Sequence, residues 1–187
     1  MQSDDVLVRL ARRAGRGDPE SLDALLRELR PLVVRTVRLI VGSGSWAAED
    51  AAQEALLDVV RGISTLRRPE AVRGWALRIA TTRALKVAGR ERLLSLRRRA
   101  LSETDLSLPA DPPRAAALKE AFDRLPPRLR ATAVLRLNAG LSESETAEAL
   151  GCSVGTVKSQ NSKALAKLRT RAHADRLTPE SEATWSV

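Results

Sequence analysis

One stretch limits what this chain can fold into more than any other: LSETDLSLPADPP, residues 101–113, with three prolines and no base. Proline removes a backbone donor and blocks helix continuation, and the small polar residues around it offer no apolar face to bury. The stretch reads as the heart of a flexible linker over residues 99–113. The 187-residue chain therefore reads as two small units, 1–98 and 114–172, with a polar tail at 173–187.

Both units read as all-α. No run alternates apolar and polar residues at period 2, and Gly and Pro fall at the ends of helical patterns. The first unit opens with a helix over 4–15. In GDPESLDALLRELRPLVVRTVRLIV, Asp18 takes the N-cap and Pro19 the first helical position, and Pro31 is expected to kink or divide the helix. Ser45 is expected to cap WAAEDAAQEALLDVVRG, whose Ala51, Ala52, Ala55, Leu56, Val59 and Val60 form a helical stripe. Pro69 starts a basic helix with Leu77, Ile79, Ala80 and Leu85 on its buried side. The second unit reads as a short helix in RAAALKEAFDRL, a helix started by Pro126 and Pro127 and stopped by Gly140, and a helix pair around Gly151.

Composition narrows the function. One Phe, three Trp and no Tyr leave a core of Leu, Val, Ala and Ile, which suits small helical bundles. No apolar run approaches the roughly 20 residues of a membrane span, and MQSDDVLVRL lacks the basic-then-apolar order of a secretory signal. A cytoplasmic protein with no membrane contact is expected. One cysteine, Cys152, excludes an internal disulfide and is read as a small buried hydrophobe. One histidine, His173, excludes a zinc site of several His and Cys ligands and argues against a His-based triad. The expectation is no enzyme, no catalytic residue, no metal and no cofactor.

Charge supplies the positive clue. Residues 61–100 carry twelve bases against Glu70 and Glu91, a net +10 that exceeds the +9 of the whole chain. Residues 42–60 carry Glu49, Asp50, Glu54 and Asp58 and no base. A basic face beside an acidic one points to two partners, the basic one meeting nucleic acid.

Residues 142–171 carry a helix-turn-helix pattern. Ser142 and Glu145 have capping-box spacing. Ala147 is small where two helices would touch, Gly151 stands where a left-handed turn residue is needed, and Val157 would pack the second helix back on the first. The first helix holds Glu143, Glu145 and Glu148, and the second Lys158, Lys163, Lys167, Arg169 and Arg171. In this geometry the start of the second helix reaches base edges. Thr156, Lys158, Ser159 and Gln160 are the candidate readers, while Lys163 and Lys167 suit phosphates.

With both units read, the chain resembles bacterial sigma factors of the extracytoplasmic-function type. LPPRLRATAVLRLNAGLSESETAEALGCSVGTVKSQNSKALAKLR (125–169) looks like region four, and AEDAAQEALLDVVRGISTLRRPEAVRGWALRIATTRAL (48–85) like region two. The resemblance implies an alternative sigma factor that directs promoter-specific transcription initiation. Asp50, Gln53 and Glu54 match the Asp-x-x-Gln-Glu pattern that binds the β′ clamp helices of core RNA polymerase. Arg73, Trp75, Arg78, Thr82 and Arg83 fall on the helix that handles the minus-10 element and strand opening. Region four, through Thr156, Lys158, Ser159, Gln160 and Lys163, would read the minus-35 element and meet the β flap. Promoter DNA and an anti-sigma factor join the expected partners.

The chain departs from the family pattern in places. Val72, Ala76 and Leu77 stand where aromatics surround the region-two tryptophan, and Trp75 itself is read first as a packing residue. Thr146 and Asn161 stand where apolar residues are usual, which should loosen the packing of the second unit. From the residues alone a second reading stays open: a stand-alone helix-turn-helix regulator acting as a dimer on a near-palindromic site.

Overall fold

The computed structural model describes residues 2–42, 45–101 and 121–174, and among them every regular element is helical. The helices are α1 (Gln2–Ala14), α2 (Pro19–Val41), α3 (Ala47–Gly62), α4 (Val72–Leu101), α5 (Pro127–Ala133), α6 (Glu143–Leu150) and α7 (Val154–Ala174). Short 3₁₀ turns, Ile63–Thr65 and Pro69–Ala71, lead from α3 into α4, and a π-type turn, Val134–Asn138, extends α5.

Local chemistry explains most helix ends. Asp18 holds the N-cap position of α2 with Pro19 behind it. The Ser21 hydroxyl donates to the Asp18 carboxylate (2.6 Å) and holds its pKa below the usual aspartate range. Pro31 does not divide α2, which runs unbroken from Pro19 to Val41. The proline is exposed, so water can take the carbonyl its missing N–H leaves open. Ser45 does not cap α3 with its side chain; its hydroxyl donates to Glu91 of α4 instead. Helix α4 continues to Leu101, past the expected boundary at 98. The rest of the linker, the RAAALKEAFDRL helix up to residue 120 and the tail from 175 lie outside the described residues.

Helices α2, α3 and α4 pack as a bundle, with α1 laid along α2. The contact face of α4 is a ridge of Ala76, Ala80, Ala84 and Ala88, one per turn and all buried. Around α1 the core is Leu7, Leu25, Leu29, Val59, Ile63 and Val72. The stripe foreseen on α3 is largely buried, with Ala51, Ala52, Ala55 and Val59 inside, Leu56 half-buried and Val60 exposed. On α4, Leu77 and Ala80 are buried while Ile79 and Leu85 are half-buried. The second unit packs α5 on α7 through Leu125, Ala133, Ala164 and Leu168. The halves do not stand apart. One buried cluster takes Val37 and Ile40 from α2, Leu77 from α4, and Val134, Leu141 and Leu150 from the second unit.

Close approach is sharpest at the end of α3. A methyl group placed on Gly62 would lie 2.9 Å from Cζ2 of Trp75. Gly89, on the exposed side of α4, has nothing within 4 Å of such a position. The two glycines should therefore respond in opposite directions. Gly89→Ala gains helix propensity and should raise stability by about 0.5–1 kcal/mol. Gly62→Ala gains the same propensity but overpacks a rigid indole, at a cost of about 1–3 kcal/mol, so its melting temperature should fall. Thermal unfolding followed by circular dichroism checks both; equal shifts would remove the indole contact as the cause.

Candidate nucleic-acid and partner interfaces

Asp50, Gln53 and Glu54 are all exposed. Their spacing places them on one side of α3, followed a turn later by Leu57, a large apolar side chain that is 46% exposed. The inner side of the same helix is alanine, which seats α3 closely on its neighbours and leaves its polar side facing out.

The basic side of α4 is ordered by the same period. Arg78, Thr82, Lys86 and Arg90, one per turn, are exposed along it. Sequence reasoning had not singled out Lys86 and Arg90; their four-residue spacing from Arg78 was the available signal. Beside this stripe lies a cavity of ≈ 210 Å³ lined by Asp58, Trp75, Arg78, Ile79, Thr82 and Arg83. Trp75, Arg78, Thr82 and Arg83 thus converge on one place. Trp75 reaches it with its ring laid on Gly62 and packed against the α1-side core.

Two of the expected DNA contacts are already engaged within the chain. Arg83 donates from Nε to Asp58 Oδ2 (2.6 Å), and its Nη1 lies 3.5 Å from Glu54. It thus ties α4 to the acidic helix. Arg73 lies apart from the ≈ 210 Å³ cavity and donates from Nη2 to the carbonyl of Ala139 in the second unit (2.6 Å). It lines a larger cavity of ≈ 330 Å³ with Leu7, Trp75, Leu141, Glu145 and Ala149.

The helix-turn-helix forms as the spacing foretold. The Glu145 N–H donates to Ser142 Oγ (3.2 Å), and the Ser142 N–H donates to the Glu145 carboxylate (2.7 Å). The Ser142 hydroxyl first, and its N–H second, hold the Glu145 carboxyl below the ordinary glutamate value. Because the folded pKa is lowered, this stabilisation is present above the unfolded value and is lost as pH falls through the folded one. Gly151 adopts φ +61°, and the Cys152 N–H returns to the Ala147 carbonyl (3.0 Å), closing a Schellman turn. Ser153 caps α7 by accepting from the Thr156 N–H (3.1 Å). Val157 is fully buried beneath the turn.

On α7, Lys158, Ser159 and Lys163 are exposed, with Ser162 between them on the same face. Ser162 was not foreseen, although its spacing from Ser159 marks it. Thr156 is half-buried in the first turn. Lys158 lies 3.6 Å from Glu143 of α6. Gln160 turns inward: the buried Thr132 hydroxyl of α5 donates to its amide oxygen (2.7 Å). That contact comes from a helix 28 residues earlier in sequence, which local spacing does not reveal.

An all-helical chain with an acidic face beside a basic one, and a basic helix-turn-helix after it, has the build of a transcription factor of the sigma class. Residues 25–94 match the family model for Sigma-70 region 2, and residues 115–168 that for Sigma-70, region 4. The ECF RNA polymerase sigma factor SigE of Mycolicibacterium smegmatis is 33% identical over 159 residues, covering 80% of this chain and 60% of its own. SigD of Mycobacterium tuberculosis, also an ECF RNA polymerase sigma factor, is 31% identical over 166 residues, covering 82% of this chain and 77% of its own. Among solved structures, CnrH in complex with the cytosolic domain of CnrY superposes with a TM-score of 0.66 at 21% identity, covering 91% of this chain and 99% of that one. The sigma factor RpoE in complex with the anti-sigma factor NepR from Bartonella quintana gives 0.58 at 23%, covering 80% and 97%. The chain belongs to the sigma-70 family, among its extracytoplasmic-function members.

The two polar residues flagged in the second unit lie inside it. Thr146 is fully buried, and neither its hydroxyl nor the buried Asn161 Oδ1 has a hydrogen-bond partner. Burying an unpaired polar atom costs about 1–3 kcal/mol. Thr146→Val keeps the shape and removes the hydroxyl, so thermal unfolding should show a rise of about 2–4 °C per kcal/mol recovered. Asn161→Leu should act in the same direction. A fall in melting temperature for Thr146→Val would mean that the hydroxyl is satisfied in solution.

Proposed function

We propose that this chain is a non-catalytic, cytoplasmic initiation factor that binds core RNA polymerase and carries it to promoters with two separated elements. The observation that carries the reading is the pairing of opposite faces on adjacent helices. Asp50, Gln53 and Glu54 form an exposed side of α3 bounded by Leu57, and the Arg78–Arg90 stripe of α4 lies one helix away. A charged side with an apolar edge suits a protein groove, with charge steering the encounter and the apolar edge adding buried area. A basic stripe beside an aromatic-lined cavity suits DNA whose bases have left the stack.

In this reading residues 1–98 form the region-two unit, which holds the β′ clamp helices and handles the minus-10 element through Trp75, Arg78, Thr82 and the stripe beyond. Arg73 and Arg83 join once released from Ala139 and from Asp58. Residues 114–172 form the region-four unit, which meets the β flap and reads the minus-35 element through Thr156, Lys158 and Ser159, with Lys163 on phosphate. Gln160 serves in this account by fixing α7 to α5. The relatives' names support polymerase as the partner, and the complex of RpoE with the anti-sigma factor NepR supports an anti-sigma partner.

Co-elution with core polymerase and run-off transcription test the reading together. Asp50→Arg combined with Glu54→Gln should weaken polymerase binding by at least about tenfold while leaving Arg83 its Asp58 partner. Unchanged affinity would refute the α3 assignment, and binding of a palindrome without polymerase would favour the dimeric regulator. For the upstream element, Lys158→Ala and Ser159→Ala should each relax selection at one position by about 1–3 kcal/mol. Lys163→Ala should weaken all sequences alike and lower the salt slope by about one. Selection of promoters from a randomised minus-35 library separates these outcomes.

A further inference from the structure

Helix α1 lies ahead of residues 25–94, the stretch matched to region two. Its buried side is Leu7, Ala11 and Ala14. At about 100° per residue, the opposite side carries Arg9, Arg12 and Arg13, with Arg16 in the turn that follows, all exposed. Two of these four have structural work. Arg13 pairs with Asp18 (2.8 Å) and Arg12 with Glu70 (3.1 Å). Both stand in the last turn of α1, where the helix dipole favours a cation. Arg9 sits a turn earlier and Arg16 past the helix end, and neither has an ion pair among the described residues.

This face joins the cavity side of α4. The end of α1 abuts the α3–α4 connection: a methyl group on Gly15 would lie 3.4 Å from the Ile63 carbonyl oxygen. Arg12 crosses to Glu70, which lines the ≈ 330 Å³ cavity together with Trp75 and Arg78. Those two residues also line the ≈ 210 Å³ cavity beside the basic stripe. The Glu70 carboxyl is held below the usual glutamate range first by its own N–H and then by Arg12 and Arg68. Arg68 therefore stands on the same ground, with exposed Arg67 before it in the connection. Against Asp5 and Glu70 stand five guanidiniums, Arg9, Arg12, Arg16, Arg67 and Arg68, so this corner keeps a positive surplus.

We propose that α1 is an accessory DNA-binding helix. Arg9 and Arg16, with Arg12 and Arg68 beside them, hold phosphates of the unpaired strand where it runs on from the Trp75 cavity. The inference rests on the sigma-factor reading and extends it to a helix outside the matched regions. Arginine suits this partner, because its planar fork takes a phosphate bidentately. Proteins that hold unpaired strands combine a cationic track for the backbone with an aromatic platform for the bases. Here Trp75 supplies the ring. The connection and α1 extend the track of Arg78, Lys86 and Arg90 past the N-terminal end of α4. An acidic protein surface would take the same charges but gives no reason for their continuity with the ring.

Holoenzyme formed from core polymerase and the full chain tests this with two fork-junction probes. One probe ends at the minus-10 element, and the other carries a single-stranded tail downstream of it. Arg9→Gln combined with Arg16→Gln removes charge from exposed side chains that make no ion pair, so the melt followed by circular dichroism should not change. The variant should bind the tailed probe more weakly, with a salt slope lower by about 1.4, at about 0.7 per phosphate on single strands. The short probe should be bound as by wild type, and Arg9→Lys with Arg16→Lys should restore the slope. Equal losses on both probes, or no loss on the tailed one, overturn the proposal. Weaker polymerase binding with tail binding intact assigns the arginines to a protein partner and also overturns it. If the wild-type chain forms no holoenzyme, the sigma-factor reading fails. Titration of the full chain alone with a dye-labelled oligothymidylate then decides on α1, whose role is overturned if the double Gln variant binds as tightly as wild type.

Discussion

The structure depends on the alanine ridge of α4. Ala76, Ala80, Ala84 and Ala88 repeat once per turn and are buried, and their small side chains let α2 and α3 approach closely. A core with almost no aromatic residues has few large side chains to bridge gaps, so it gains its dispersion energy from short distances between helices. The ridge also sets function. With its alanine side inward, α4 has only one direction in which to turn Arg78, Lys86 and Arg90, and that direction is water.

The same economy explains the link between the halves. Leu77 of α4 joins the cluster that receives Leu141 and Leu150 from the second unit. What reads as two units in sequence becomes, in this arrangement, one body with a joint. Arg130 at that joint is buried deeply enough that desolvation lowers its pKa, and Asp123 opposes the shift. A guanidinium retains its charge under such burial and finds its compensation in carbonyls.

How much was legible in advance follows the range of each interaction. The capping box, the Gly151 turn and the buried Val157 are decided within about one helical turn of sequence, and the spacing announced them. The triad on α3 came from the resemblance to the sigma-factor pattern, and its exposure agrees with the alanine stripe on the opposite side. The contacts that spacing did not announce share a cause. Ser45 turned to Glu91, 46 residues away, Gln160 turned to Thr132, and Arg73 reached Ala139, 66 residues away. Each side chain found a partner on an element that local pattern could not place beside it. At Pro31 the helix did not divide for another reason: the pattern marks a missing donor, and only exposure shows that its loss is tolerated.

The contact between Gly62 and Trp75 has a consequence for how the two faces vary together. Residue 62 ends the helix that carries the acidic face, yet the absence of a side chain there is the mould into which the indole settles. Trp75 in turn forms part of the wall that Thr82 and Arg78 share. The shape of the cavity beside the basic stripe is therefore written partly in the helix that carries the acidic face. A family lineage that altered this glycine would have to recast the cavity with it, and the two surfaces are heritable only as a pair.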